Sequence, residues 1–217
     1  MKNLDQRNQI IEHSLKLNST NLSPLRSGNI SLRAEQDNIQ GYLITPSGKK
    51  YKTLKPEDIV FMGLNEEAEN NEVNKPSSEW RFHRDIYLNK KNAQAIVHAH
   101  SPHATAVSSH GKSIPPFHYM IALAGGEDIK CAEYATFGTK ELSQNVIKAL
   151  ENRSACLMSN HGQVAFGKNL DQAFELAQEI ENICHQYTIA LKLGEPKILS
   201  LEEMKKVLEK AKDYKKG

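Results

Sequence analysis

The sequence predicts one α/β domain, a mainly antiparallel central β-sheet flanked by helices. Three observations point there. The chain has 217 residues, the size of one domain with a substantial core. Short apolar runs come in pairs separated by tight polar turns, at Asp37-Asn38 and at Asn160-His161-Gly162, as in antiparallel hairpins. Longer stretches with apolar residues at helical spacing are interspersed without a strict strand–helix alternation.

The elements follow in order. Residues 4–17 place Ile10, Ile11, Leu15 and Leu17 near helical spacing and predict an amphipathic opening helix. Residues 18–27 are a polar loop. Ser27-Gly28-Asn29 turns into an alternating strand over 30–33, and residues 41–45 make a second strand. A third is expected over 58–64, and 65–75 as a polar surface loop. At Pro76-Ser77-Ser78-Glu79-Trp80 the pattern becomes helical, with Ser77 as N-cap and Trp80, Phe82, Ile86 and Tyr87 on an apolar side. A buried strand over 95–100 leads into a short helix, with Ser101 as N-cap and Pro102 at the first helical position. Residues 114–119 read as extended and Ala124-Gly125-Gly126 as a tight turn. A helix over 139–151 precedes two strands, 155–159 and 163–167, joined by a turn in which Gly162 is expected at positive φ. Residues 170–193 form a long helix with Phe174, Ala177, Ile180, Ile183 and Cys184 inward. Residues 201–217 form a C-terminal helical tail on a single domain spanning 1–217.

Composition excludes several function classes. The 28 basic and 26 acidic residues leave a formal charge of +2, which is no nucleic-acid footprint. The Lys-rich tail carries Glu203, Glu209 and Asp213 and reads as a solvated helix face. Cys131, Cys156 and Cys184 are widely spaced and form no CxxC pair, so buried free thiols are expected. Residues 1–8 are mostly polar, and no apolar run approaches the ~20 residues of a membrane span. These features predict a cytoplasmic protein with no nucleic-acid or membrane partner.

The chemistry centres on Ala95-Ile96-Val97-His98-Ala99-His100. Side chains alternate along a strand, so His98 and His100 share a face about 6–7 Å apart. Two imidazoles on a rigid element can hold a metal ion if other ligands join them. A bare His-x-His is equally explained by ordinary polar residues at a strand end. His161, held by a hairpin turn, is the candidate third ligand, and an unliganded turn histidine fits it as well. Glu79 is the candidate fourth, although a carboxylate at a helix start needs no metal to explain it. Together they would form a His₃Glu site, a donor set suited to a catalytic zinc. His13, His83, His103, His110, His118 and His185 lack such context and read as surface or packing residues. Three polar turns can bind an anion: Gly28-Asn29, Thr45-Pro46-Ser47-Gly48 and Ser77-Ser78, each weak evidence alone.

These pieces occur as an ordered set. Gly28-Asn29-Ile30-Ser31, Ile44-Thr45-Pro46-Ser47-Gly48 and Pro76-Ser77-Ser78-Glu79-Trp80-Arg81-Phe82-His83 come first. Val97-His98-Ala99-His100, Ile114-Pro115 with His118-Tyr119-Met120-Ile121, Tyr134-Ala135-Thr136-Phe137-Gly138-Thr139 and Asn160-His161-Gly162 follow. Over about residues 5–195 the sequence resembles the class II aldolase/adducin family, and most its L-fuculose-1-phosphate aldolase branch. The resemblance implies a homotetramer with active sites at subunit interfaces. It implies one Zn²⁺ per subunit on His98, His100 and His161, with Glu79 a ligand that leaves to act as acid/base. It matches Gly28, Asn29, Ser47, Gly48, Ser77 and Ser78 to phosphate-binding positions, and it makes Tyr119 and Tyr214 candidate acids, Tyr214 from a neighbouring subunit. The implied reaction is cleavage of a ketose 1-phosphate, resembling L-fuculose 1-phosphate, to dihydroxyacetone phosphate and an aldehyde. The same family contains methylthioribulose-1-phosphate dehydratases, pentose-phosphate 4-epimerases and the non-catalytic adducin head. Arg26 and Gln163 depart from the family pattern, in which a small polar and an apolar residue are usual.

Overall fold

A computed structural model describes residues 1–65 and 75–214, apart from the side chains of 212–214. Helix α1 (Leu4–Ser19) buries Arg7, Ile10, His13, Ser14 and Leu17. Leu15, expected on that side, is 40% exposed, because the buried stripe follows positions 7, 10, 14 and 17 and leaves 15 a third of a turn away. Strands β1 (Asn29–Gln36) and β2 (Ile39–Ile44) form a hairpin through Asp37 and Asn38, both in the left-handed region, whose twist suits the strands they join. Strand β3 (Val60–Gly63) is shorter than expected, because a 3-10 turn with Pro56 at its start occupies Pro56–Asp58. Residues 66–74, most of the expected surface loop, lie outside the described residues.

The remaining elements are α2 (Trp80–Asn89), β4 (Ala95–Ala99), α3 (Pro102–Ser108), β5 (Cys131–Ala132), α4 (Lys140–Ala149), β6 (Ala155–Met158), β7 (Gly162–Gly167), α5 (Leu170–Leu193) and α6 (Leu201–Tyr214). Strand β5 was not anticipated, being two residues long and too short to show a period. Residues 114–119 are only partly extended. Ile114 bridges Ile129, but Tyr119 already opens a 3-10 turn, Tyr119–Ala124, which ends at Gly125 with φ 100°. Of the three free cysteines, Cys156 and Cys184 are buried and Cys131 is half-buried.

The seven strands form one sheet in the order β3-β2-β1-β4-β7-β6-β5, antiparallel everywhere except between β5 and β6. Strand β4 lies at the centre and all five of its residues are buried. Val97 joins a core with Ile10, Phe174 and Ile180 of α1 and α5. Ile96 joins a second core with Phe82 and Ile86 of α2 and Val146 of α4. The sheet is therefore covered by helices on both faces.

The turn between β6 and β7 corrects one expectation. Asn160, not Gly162, takes the positive φ, at 54°. Gly162 is required for a different reason: a Cβ there would stand 2.4 Å from the carbonyl oxygen of Ala99 on β4. Gly162→Ala is expected to force the two strands apart and destabilise the fold by about 1–3 kcal/mol. Denaturant unfolding measures this, and an unchanged midpoint would show that the spacing is set elsewhere.

Candidate metal centre

Helix α2 begins two residues later than the sequence suggested. Glu79 occupies the N-cap and makes no side-chain cap bond, while Ser77 Oγ accepts from the Glu79 backbone N–H at 3.3 Å. The Glu79 carboxylate is turned instead toward histidines. Its Oε2 lies 3.1 Å from His98 Nε2 and its Oε1 3.0 Å from His161 Nε2. His98 Nε2 and His100 Nε2 are 2.9 Å apart. The three imidazoles meet edge to face, with centroids 4.8–4.9 Å apart. All four expected ligands thus converge, each offering an atom within 4.8 Å of the others.

Backbone geometry aims them. His98 Nδ1 lies 2.8 Å from the carbonyl of Gln163, which can only accept, so Nδ1 carries the proton and the Nε2 lone pair faces the cluster. The His100 N–H donates to Ser23 Oγ at 3.1 Å, and the His161 N–H donates to the Met158 carbonyl in the tight turn. Gln163 is fully buried and its amide donates to Ser101 Oγ and the Ala177 carbonyl, which ties β7 to α3 and α5. Its Oε1 is buried and makes no hydrogen bond, so only the donor end of the amide is satisfied.

The electrostatics fit a cation. Burial pushes the Glu79 carboxyl up, but His98 and His161 outweigh it and hold the group well below the usual carboxylate range. Burial, with His98 and His161 adding to it, lowers His100 to about 3. Glu79 Oε1 is buried and, despite its closeness to His161, makes no hydrogen bond. An unsatisfied carboxylate oxygen facing imidazole nitrogens is the donor set of a divalent metal.

The turns expected to bind an anion lie beside this centre. Pro46 and Pro76 form a bridge, and the Ser47 N–H donates to the Lys75 carbonyl, so Ser47-Gly48 and Ser77-Ser78 are adjacent. Ser47, Gly48 and Ser78 are exposed and Ser77 is buried. Arg26 donates to the Gly48 carbonyl at 2.8 Å, which brings a cation to the same turn. Gly28 is packed tightly, since a Cβ would meet Ser23 Oγ at 2.5 Å and the His98 carbonyl at 2.6 Å. Asn29 is buried with both ends of its amide engaged, by Glu79 and by His83. A cavity of about 290 Å³ opens between Ser27, Ser78, Glu79, His100 and His161, walled by Tyr134 and Phe137. Tyr119 is 56% exposed and is not among the residues lining it. The Tyr214 side chain lies outside the described residues.

Three contributors escaped the sequence reading. His83, read as surface or packing, is buried and holds Asn29. Its signal was the spacing Glu79-x₃-His83, one helical turn. Tyr134 and Phe137 had no signal beyond their place in a shared motif.

The family model for the Class II Aldolase and Adducin N-terminal domain matches residues 8–188. The chain belongs to the class II aldolase/adducin family. It is 45% identical over 208 residues to the 5-methylthioribulose-1-phosphate/5-deoxyribulose-1-phosphate aldolase of Rhodospirillum rubrum, covering 96% of this chain and 91% of that one. It is also 45% identical over 207 residues to the L-fuculose phosphate aldolase of Escherichia coli K12, covering 95% and 94%. A solved L-fuculose 1-phosphate aldolase superposes with a TM-score of 0.90 at 40% identity, covering 98% of each chain. This class II aldolase fold is the helix-flanked, mostly antiparallel sheet that the sequence predicted.

His83 and His100 are expected to make the stability of the metal-free protein depend on pH. His83 and His100 are both lowered to about 3 from 6.5, burial being the main cause in each. Between those limits the unfolded chain binds protons that the folded chain does not, so stability falls as pH falls. The depressed Glu79 carboxyl acts in the same direction below its ordinary 4.5. The thermal midpoint of metal-free protein is expected to drop steadily from pH 7 to pH 4. A midpoint independent of pH across that range would contradict these environments.

Proposed function

We propose that the chain is a zinc-dependent aldolase that cleaves a ketose 1-phosphate to dihydroxyacetone phosphate and an aldehyde. The observation that carries this reading is the convergence of Glu79, His98, His100 and His161 at a cavity lined also by Ser78, with the Ser47-Gly48 turn joined to the Ser77-Ser78 turn through the Pro46–Pro76 bridge. The 1-phosphate binds at Gly28, Asn29, Ser47, Gly48, Ser77 and Ser78, with Arg26 adding positive charge. His98, His100, His161 and Glu79 would hold the zinc, which would supply Lewis acidity for the ketose carbonyl and for the charge left when the C3–C4 bond breaks. Glu79 delivers a proton to C3 of the dihydroxyacetone phosphate half, and removes it in the reverse reaction. A tyrosine exchanges the proton of the C4 oxygen that becomes the aldehyde. Tyr119 does not line its own chain's cavity, so in a homotetramer with interfacial sites it and Tyr214 serve a neighbouring subunit. The setting is cytoplasmic; among the described residues no helix is long and apolar enough to cross a membrane.

The Rhodospirillum rubrum relative is named for 5-methylthioribulose 1-phosphate and 5-deoxyribulose 1-phosphate, and the Escherichia coli K12 relative for L-fuculose phosphate. The substrate class proposed here is therefore a ketose 1-phosphate whose aldehyde half ends in an apolar group. The dehydratase and 4-epimerase readings are separated from it by the product formed, and a metal-binding, non-catalytic adducin-type protein would hold zinc without turnover. A retro-aldol assay over a panel of ketose 1-phosphates, coupled to detection of dihydroxyacetone phosphate, tests the reading. Turnover is expected with 5- or 6-deoxyketose 1-phosphates and not with the unphosphorylated sugars. Release of water or an epimer in place of dihydroxyacetone phosphate would overturn it.

Glu79 has two roles that can be separated. Glu79→Gln keeps a weak carbonyl ligand but cannot accept a proton at neutral pH. Zinc is expected to remain near one per chain while turnover falls by about 10²–10⁴-fold. Exchange of the C3 proton of dihydroxyacetone phosphate in heavy water isolates the proton step, because it needs no aldehyde. Exchange at the wild-type rate in the variant would leave Glu79 only a ligand.

A further inference from the structure

Behind the metal centre a second set of polar side chains is sealed inside the protein. Asn29 and Ser31 lie two apart on β1 and share a face, while Glu79, His83 and Tyr87 recur every four residues and share a face at α2. The two stripes meet. Asn29 Nδ2 donates to Glu79 Oε2 at 2.8 Å, and Asn29 Oδ1 lies 2.6 Å from His83 Nε2. His83 Nδ1 lies 2.7 Å from Ser31 Oγ, which lies 2.8 Å from Tyr87 Oη. Ser31 and His83 are fully buried, and Asn29 and Tyr87 nearly so.

The chemistry of the ends fixes every direction in this chain. A carboxylate only accepts, so the Asn29 NH₂ faces Glu79 and its carbonyl faces His83. His83 Nε2 must then carry the proton. Burial keeps the imidazole neutral, so Nδ1 is an acceptor and the Ser31 hydroxyl donates to it. The Ser31 oxygen in turn accepts from Tyr87, whose phenol burial keeps protonated. All donors point toward Glu79. Flipping the Asn29 amide would set a carbonyl against the carboxylate and an NH₂ against the His83 N–H, so each link prevents the previous one from turning. Hydrogen bonds aligned this way also polarise one another.

We propose that His83, Ser31 and Tyr87 are positioning residues that act through Asn29 to hold the Glu79 carboxylate in one orientation for proton transfer. The proposal rests on the reading of Glu79 as the proton carrier. Asn29, on this account, serves Glu79 with its side chain, whatever its backbone offers a phosphate.

The test uses full-length zinc-loaded enzyme with Ser31→Ala, His83→Phe, His83→Gln and Tyr87→Phe, and Glu79→Gln as reference. Zinc content, thermal midpoint, kcat, KM for an active ketose 1-phosphate and C3 proton exchange of dihydroxyacetone phosphate are measured in each. His83→Phe is expected to lower kcat and the exchange rate together by about 10–100-fold, with KM and zinc per chain unchanged. His83→Gln, whose amide can donate to Asn29, recovers part of the loss. Ser31→Ala and Tyr87→Phe give smaller losses in the same two rates. Should His83→Phe fail to fold, these two hydroxyl deletions decide the matter. Wild-type rates in folded, zinc-loaded Ser31→Ala and Tyr87→Phe would overturn the proposal, as would losses that only track zinc content or thermal midpoint. Glu79→Gln separates the two levels. If it abolishes exchange while the other variants match wild type, only the relay fails. If it exchanges at the wild-type rate, the reading of Glu79 fails and the relay with it.

Discussion

At Gly162 the backbone of β7 comes so close to β4 that the Ala99 carbonyl oxygen occupies the place a Cβ would take. This approach sets the position of His161, the residue before Gly162, over the end of β4 from which His98 and His100 project. The other side of β4 is fixed by β1, where Asn29 pairs with His98 in register. Three antiparallel strands therefore deliver Asn29, His98, His100 and His161 to one place, and α2 brings Glu79 across their ends. Slipping either pairing by one residue would turn His98 or Asn29 to the opposite face of the sheet. The burial of Ile96 on one face and Val97 on the other opposes such a slip, so the two hydrophobic cores that stabilise the sheet also keep the site in register.

The site is assembled against local preference. The N-terminus of α2 carries a glutamate whose carboxylate caps nothing, although a capping side chain there typically contributes about 0.5–2 kcal/mol. Three imidazoles and a carboxylate are brought together, Glu79 and His98 buried and His100 and His161 half-buried, and burying such groups costs free energy unless each finds a partner. Most do. His98 has the Gln163 carbonyl, and Glu79 Oε2 has Asn29. Glu79 Oε1 does not, and the deficit lies where a cation would meet it. Departures from local rules gather at functional positions in this way because the surrounding fold holds them.

Much of this was legible in the sequence, for identifiable reasons. The long helices and the central strands carry strong periods, and they appeared with boundaries shifted by a few residues. His98 and His100 were recognisable because two residues along a strand return to the same face. The start of α2 was misplaced because Ser77 has the chemistry of a cap and Glu79 does not, while the geometry gives Glu79 a different partner. Gly162 was assigned a positive φ because turns favour glycine there, whereas the constraint is steric and comes from a strand more than sixty residues away. His83 was passed over because a lone histidine on an apolar helix face resembles packing. Its partners, Asn29 and Ser31, lie on another element, and no local pattern announces that β1 and α2 touch.

The inner and outer halves of the site differ in what they allow to change. The inner half, from Glu79 and His98 back through Asn29 and His83, is buried, with His100 and His161 half-buried at its edge, so substitution there disturbs packing and chemistry together. The outer half is walled by Tyr134 and Phe137, which are 61% and 65% exposed and lie on the irregular segment between β5 and α4. That segment is not free to drift. Gly138, at φ 76°, comes so near Ser78 that a Cβ would stand 2.8 Å from its carbonyl oxygen. The aromatic wall is thus anchored to the same turn proposed to bind phosphate. The distance between that turn and the wall is set by backbone contact, while the Tyr134 and Phe137 side chains are exposed. On the proposed reading of Glu79, the wall and the proton carrier are separate parts of the site, because changing Tyr134 or Phe137 leaves the hydrogen bonds from Asn29, His83, Ser31 and Tyr87 behind Glu79 untouched.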